Sequence, residues 1–168
     1  MKLSLELRCE HDAWKPLGPL RKLVRTALDA ALVTPPVRPQ PGAEISLLFT
    51  GDAQMRVINK AWREIDKPTN VLSFPAAAPG MIANSPMLGD IVIAYETVER
   101  EARSENKTFE DHLVHLVIHG LYHLLGDDHE TEENALLMET REAQALKRLG
   151  IGDPYHEPST EAAQAGKS

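Results

Sequence analysis

The sequence predicts one α/β domain, a sheet of about four strands covered by about five helices. Three observations predict it. Strand-like and helix-like patterns succeed one another in the order β-α-β-α-β-β-α-α-α. The chain has 168 residues, the length of one domain. Its composition, 42% apolar and 26% charged, is that of a globular protein able to bury a core.

Residues 3–9 (LSLELRC) alternate Leu with other residues, the period of a half-buried strand. Residues 17–33 place Leu17, Leu20, Val24, Leu28, Ala31 and Leu32 on one helical stripe. Thr34–Gly42 carries four prolines, which stop a helix; the stretch is too short to separate two domains. Glu44–Thr50 reads as a strand, and Asp52 is placed to cap a helix over 53–62 that carries Met55, Ile58 and Trp62 at helical spacing. Asn70–Phe74 reads as a short strand, and Ala76–Leu88 as a loop. Gly89–Tyr95 reads as a strand buried on both faces, opened by Asp90 as a hydrogen-bond partner or cap. A helix over Glu96–Ser104 follows.

Thr108 and Asp111 have capping-box spacing and open a long helix to about Leu125, with Gly126 as its natural stop. Thr131 caps a last helix, with Ala135, Leu136, Met138 and Leu146 to pack and Gly150 at its end. Residues 1–150 form the single domain, and 151–168 read as a loose, disordered tail.

Charge and cysteine content exclude several classes. With 18 basic and 25 acidic residues the formal charge is −7. Such a chain does not coat nucleic acid indiscriminately, although a local basic patch can hold RNA. A single cysteine, Cys9, makes neither an internal disulfide nor a Cys-rich zinc module. The first ten residues lack the apolar run of a signal peptide, and no segment is long and apolar enough to span a membrane. The expected location is the cytoplasm.

Five of the seven histidines fall between residues 112 and 129. His119 and His123, four apart on a helix, share one face, which is how helical histidine pairs bind zinc. A third ligand is required. His115 lies about 12 Å from His123 along the axis at ~1.5 Å per residue, too far to share an ion. His129 fits better, because the chain can turn back after Gly126. Three protein ligands leave the fourth position open, the arrangement of a catalytic site. His112 is expected to face solvent, and His115 to pack or to support a ligand. His11 and His156 carry no signal. The zincin peptidase motif has Glu directly after the first His, as general base. Here Gly120 stands there, which argues against that class. Gly120 is costly in a helix and suggests close approach by another backbone or a substrate.

A second constellation lies upstream. Arg56, Lys60, Arg63 and Lys67 are spaced 4, 3 and 4, a basic stripe on a helix, with Lys67 near or past its end. The stripe is either a phosphate-holding edge or a solvated face paired with Glu64 and Asp66.

These residues resemble a known family. His119–His129, HGLYHLLGDDH, resembles the signature HGxLHLxGYDH of the YbeY family of bacterial ribosomal-RNA maturation factors. Asn59–Pro75 resembles that family's NxxxRxxDxPTNVLSFP, and Leu88–Ile93 (LGDIVI) a third block, all in the family's order. Asp127 stands where the family usually has Tyr, and Tyr122 replaces Leu. The resemblance implies a mostly four-stranded mixed sheet of the α/β (α+β) type, with the metal site at the end of the long helix. It implies a single-strand-specific endoribonuclease acting on ribosomal RNA, notably in 3′-end maturation of the small-subunit RNA and in ribosome quality control. It implies one Zn²⁺ on His119, His123 and His129, and a functional arginine at Arg63.

The expected chemistry is metal-assisted phosphodiester cleavage. Zinc would acidify a water or bind a phosphate oxygen as Lewis acid. Arg63 would stabilise charge on the phosphorane, and Arg56, Lys60 and Lys67 would grip flanking phosphates. The general base stays open, with Asp127 and Asp128 nearby, and so does the choice of water or the 2′-OH as nucleophile. Expected partners are single-stranded ribosomal RNA and the small subunit with its basic proteins, with neither DNA nor membrane. Two rival readings remain: a ribosome-assembly module with a structural zinc, and a zinc hydrolase of another substrate.

Overall fold

Four strands form one mixed sheet: β1 (Ser4–Cys9), β2 (Glu44–Thr50), β3 (Val71–Pro75) and β4 (Met87–Ala94), in the spatial order β1-β2-β4-β3. β1, β2 and β4 are parallel, and β3 runs antiparallel to β4 as an edge strand. The helices are α1 (Leu20–Ala31), α2 (Asp52–Arg63), α3 (Tyr95–Ser104), α4 (Phe109–Leu124) and α5 (Glu132–Arg148). The computed structural model describes residues 2–17 and 19–155. The α/β class, the mixed four-stranded sheet and the five main helices agree with the sequence expectation.

Strand alternation divides the core. Ile45, Leu47 and Phe49 of β2 and Ile91 and Ile93 of β4 join the main core, with Val24 and Leu28 of α1 and Leu113, Val117 and Leu121 of α4. Val92 and Ala94 join Met55 and Leu72 in a smaller core. β4 is therefore buried on both faces, as its unbroken apolar run predicts. The long helix α4 is buried nearly all round; His119 and His123 are among its few half-buried residues. A helix of this kind is held by packing rather than by propensity, each buried Leu or Val contributing about 1.5–3 kcal/mol.

Several local expectations need correction. α1 begins at Leu20, and Leu17 belongs instead to a 3-10 turn, Asp12–Leu17. Trp14 of that turn is almost fully buried and donates its Nε1–H to the Thr50 carbonyl at 2.8 Å. Asp52 does not cap α2: Gly51 holds the cap position, and the Asp52 carboxylate accepts from Thr97 and Arg100 of α3. The expected loop 76–88 contains a 3-10 turn, Pro79–Asn84, and the start of β4, so Asp90 lies within the strand. Leu136 is 65% exposed and does not pack. Of the expected tail, Ile151 packs on the core and Tyr155 is tied down by hydrogen bonds; residues 156–168 lie outside the described residues.

Candidate metal centre

α4 positions two of the three candidate ligands. Thr108 caps it by accepting from the Asp111 N–H at 3.0 Å. At the other end Gly126 adopts φ +108°, a left-handed conformation that side-chain-bearing residues rarely take. The chain then folds back. The Asp127 N–H bonds the Tyr122 carbonyl at 2.9 Å, and the Asp127 carbonyl accepts from His123 Nδ1 at 3.0 Å. This reversal brings exposed His129 over the helix end. Its ring centre lies 5.1 Å from that of His119 and 4.6 Å from that of His123. One ring nitrogen from each of the three lies within 4.8 Å of the others.

The protons on two of these rings follow from their partners. His119 Nδ1 is 2.7 Å from Glu142 Oε2, a carboxylate, which only accepts. His123 Nδ1 faces a backbone carbonyl, which also only accepts. Both Nδ1 atoms therefore carry hydrogen, and both Nε2 atoms keep their lone pairs when the rings are neutral. Those Nε2 atoms are 3.1 Å apart. Two acceptors facing each other with no proton between them fit a shared cation. Burial, with the neighbouring His119 and His129, pulls His123 down to about 4, so it is neutral at pH 7 as a ligand must be. The donor set thus fits a divalent ion such as zinc, with one side open.

The histidines line a cleft of about 720 Å³. Edge strand β3 and the 64–70 loop form its other wall. Asn59 donates to the Lys67 carbonyl at 2.8 Å and pins that loop. Arg63, the last residue of α2, reaches over the sheet edge, donating to the Ser73 carbonyl at 3.1 Å with its guanidinium 5.6 Å from the Phe74 ring centre. Arg63 and Lys67 both line the cleft.

A family model described as Endoribonuclease YbeY matches residues 10–150. The chain belongs to the YbeY family. A protein of Methylocella silvestris named Endoribonuclease YbeY is 46% identical over 158 residues, covering 94% of this chain and 89% of its own. One of Allorhizobium ampelinum, with the same name, is 49% identical over 161 residues, covering 92% and 95%. A solution structure from Thermotoga maritima shares the fold at TM-score 0.52 and 23% identity, covering 91% of this chain and 99% of that one.

Within this YbeY-family fold the basic stripe is split. Arg63 and Lys67 face the cleft, but Arg56 and Lys60 do not line it. Asp66 folds back beneath them, accepting from Arg56 Nε at 2.7 Å and lying 4.0 Å from Lys60. A flanking phosphate gripped by Arg56 and Lys60 would have to compete with Asp66. Of the two acidic residues left open as bases, Asp128 Oδ1 accepts from Glu130 N and Asn134 Nδ2, each at 3.0 Å, and its carboxyl is held below the ordinary range. Asp127 is half-buried, 3.6 Å from Arg141, and burial pushes its carboxyl up.

Other departures come from tertiary contacts. His112, expected to face solvent, is 4% exposed and bonds Glu101 of α3 at 2.8 Å. Tyr122, where the family usually has Leu, buries its hydroxyl and donates it to the Ala31 carbonyl at 2.8 Å. A Cβ on Gly120 would lie 2.9 Å from Ile91 Cδ1, so close packing on β4, rather than a substrate, explains the glycine. Sequence reasoning missed Glu142, which is fully buried against His115 and His119. One signal could have found it: a charged residue on the stripe of Met138, Ala145 and Leu146.

Proposed function

We propose that this chain is a zinc-dependent, single-strand-specific endoribonuclease that processes ribosomal RNA, in 3′-end maturation of the small-subunit RNA and in ribosome quality control. The observation that carries this reading is the pair of Nε2 lone pairs 3.1 Å apart, in a cleft shared with Arg63 and Lys67. Membership of a family described as an endoribonuclease supports RNA as the substrate.

Zinc, when bound, supplies a Lewis acid for a phosphate oxygen or an acidified water. The chain's residues do the rest. His119, His123 and His129 would hold the ion, each through one ring nitrogen. Arg63 gives one guanidinium NH2 to the Ser73 carbonyl, which anchors the group and leaves further N–H donors for the charge that develops on the phosphorane. Lys67 adds positive charge on the same wall. The cleft is of small-molecule size, with room for a nucleotide or two of one strand. With only 5% aromatic residues, recognition falls on the RNA backbone rather than on stacked bases. The charge of −7 favours basic proteins of the small subunit as partners. No helix among the described residues is long and apolar enough to cross a membrane, and we place the protein in the cytoplasm.

The test compares one sequence as single-stranded RNA, duplex RNA and 2′-deoxy strand. Wild type with zinc is expected to cut the single-stranded RNA alone, and chelation to abolish cutting. Equal cleavage by chelated protein would remove the zinc dependence, and no cleavage by zinc-loaded wild type would favour the assembly module.

A further inference from the structure

Glu142 is the one carboxylate among the described residues that is 0% exposed in the core, and it reaches the metal centre from behind. Both of its oxygens are engaged. Oε2 accepts from His119 Nδ1 at 2.7 Å. Oε1 accepts from His115 Nε2 at 2.7 Å and from the Tyr155 hydroxyl at 2.5 Å. His115 is buried one turn before His119, and Tyr155 lies 3.2 Å from its Nε2. Tyr155 arrives from beyond α5, in a turn closed by its own N–H on Asp153 Oδ1 at 2.8 Å. Donors from α4 and the C-terminal turn thus converge on one anion supplied by α5.

A buried carboxylate is a poor way to stabilise a fold, since apolar replacements of similar volume often serve as well. The arrangement makes better sense as a device acting on His119. Because the carboxylate only accepts, it holds hydrogen on Nδ1 and the lone pair on Nε2, and it fixes the plane of the ring. A carboxylate behind a histidine also makes the opposite nitrogen a stronger donor to a metal. We propose that Glu142, held in place by His115 and Tyr155, is a positioning residue that sets the tautomer and orientation of His119 for metal binding. The proposal rests on the reading of His119, His123 and His129 as metal ligands. The C-terminal turn thereby gains a role. Tyr155 closes the far side of Glu142, so α4, α5 and the turn after α5 are coupled through one carboxylate.

The test uses Co²⁺ as a visible probe on the full chain, with thermal melts of metal-free and metal-loaded protein. Glu142→Gln keeps the shape and removes the charge. Its Co²⁺ affinity is expected to fall about 10–100-fold, its visible bands to shift, and the rise in Tm on metal loading to shrink. A purely structural role would lower both Tm values equally and leave the rise and the bands unchanged; that result overturns the proposal. If Glu142→Gln does not fold, Tyr155→Phe decides. It removes one donor and is expected to weaken Co²⁺ binding about fivefold, whereas wild-type binding overturns the proposal. Failure of wild type itself to bind Co²⁺ overturns the metal reading together with this one. Unchanged variants beside a binding wild type overturn this one alone.

Discussion

Two histidine pairs sit on the same helix and do different work. His112 and His115 occupy the first half of α4, both deeply buried, each bonded through Nε2 to a carboxylate from another helix. Their Nδ1 atoms are buried without a partner among the described residues. His119 and His123 occupy the second half and are half-buried. Each commits Nδ1 to an acceptor and leaves Nε2 facing the other at the cleft. The residue type and the helix are common to both pairs. The difference lies in which nitrogen is occupied and what the free one faces. The first pair ties α4 to α3 and α5, and the second presents lone pairs that could hold an ion.

The largest expected effect falls on the second pair. His123→Ala should abolish RNA cleavage, exceeding the roughly 10–100-fold loss typical of groups that only support a ligand. Cleavage by that variant at a rate near wild type would erase the distinction between the pairs. Arg63→Ala is next. It should keep its zinc and lose about 100-fold in cleavage rate, the loss expected when a donor to developing charge is removed. Loss of zinc in this variant would mean that Arg63 supports the fold of the cleft instead.

The first pair should answer in stability. His112→Ala leaves Glu101 short of a partner, at a cost of about 1–3 kcal/mol, or several degrees in Tm at roughly 2–4 °C per kcal/mol. Cleavage by the protein that remains folded should match wild type. An unchanged melt would mean that the His112–Glu101 bond does no structural work.

Acid sharpens the contrast for the metal-free protein. His123 is held down to about 4 by burial and by its histidine neighbours, against an ordinary value near 6.5. As pH falls below 6.5 the unfolded chain takes up this proton while the folded chain resists it, so stability drops between pH 6.5 and 4. Burial raises the Glu142 carboxyl, but hydrogen bonds from His115 and His119 outweigh it and hold it low; its contribution is present above about 4.5 and lost below. Melts from pH 7.5 to about 4 should show Tm falling below about pH 6.5, with a shallower fall in His123→Ala. The smallest effect belongs to Arg56→Ala. Paired with Asp66 outside the cleft, it should leave cleavage within about twofold. A tenfold loss would return it to the RNA path.

Much of this was legible in sequence. The capping box at Thr108, the stop at Gly126 and the spacing of His119, His123 and His129 are local features, and the structure brings those three residues together. What sequence could not supply were partners from distant segments. Glu142 lies 23 residues beyond His119, and Glu101 lies on a different helix from His112. Asp52 has the right residue type for a cap, but α3 offers Thr97 and Arg100 to its carboxylate instead. The basic stripe has helical spacing throughout, and a single aspartate in the following loop divides it.

The most direct measurement is the zinc content of wild type, His112→Ala and His123→Ala, purified in parallel and confirmed as folded. We predict about one zinc per chain in wild type and in His112→Ala, and none in His123→Ala. Zinc retained by His123→Ala, or lost from folded His112→Ala, would contradict the assignment of the two pairs.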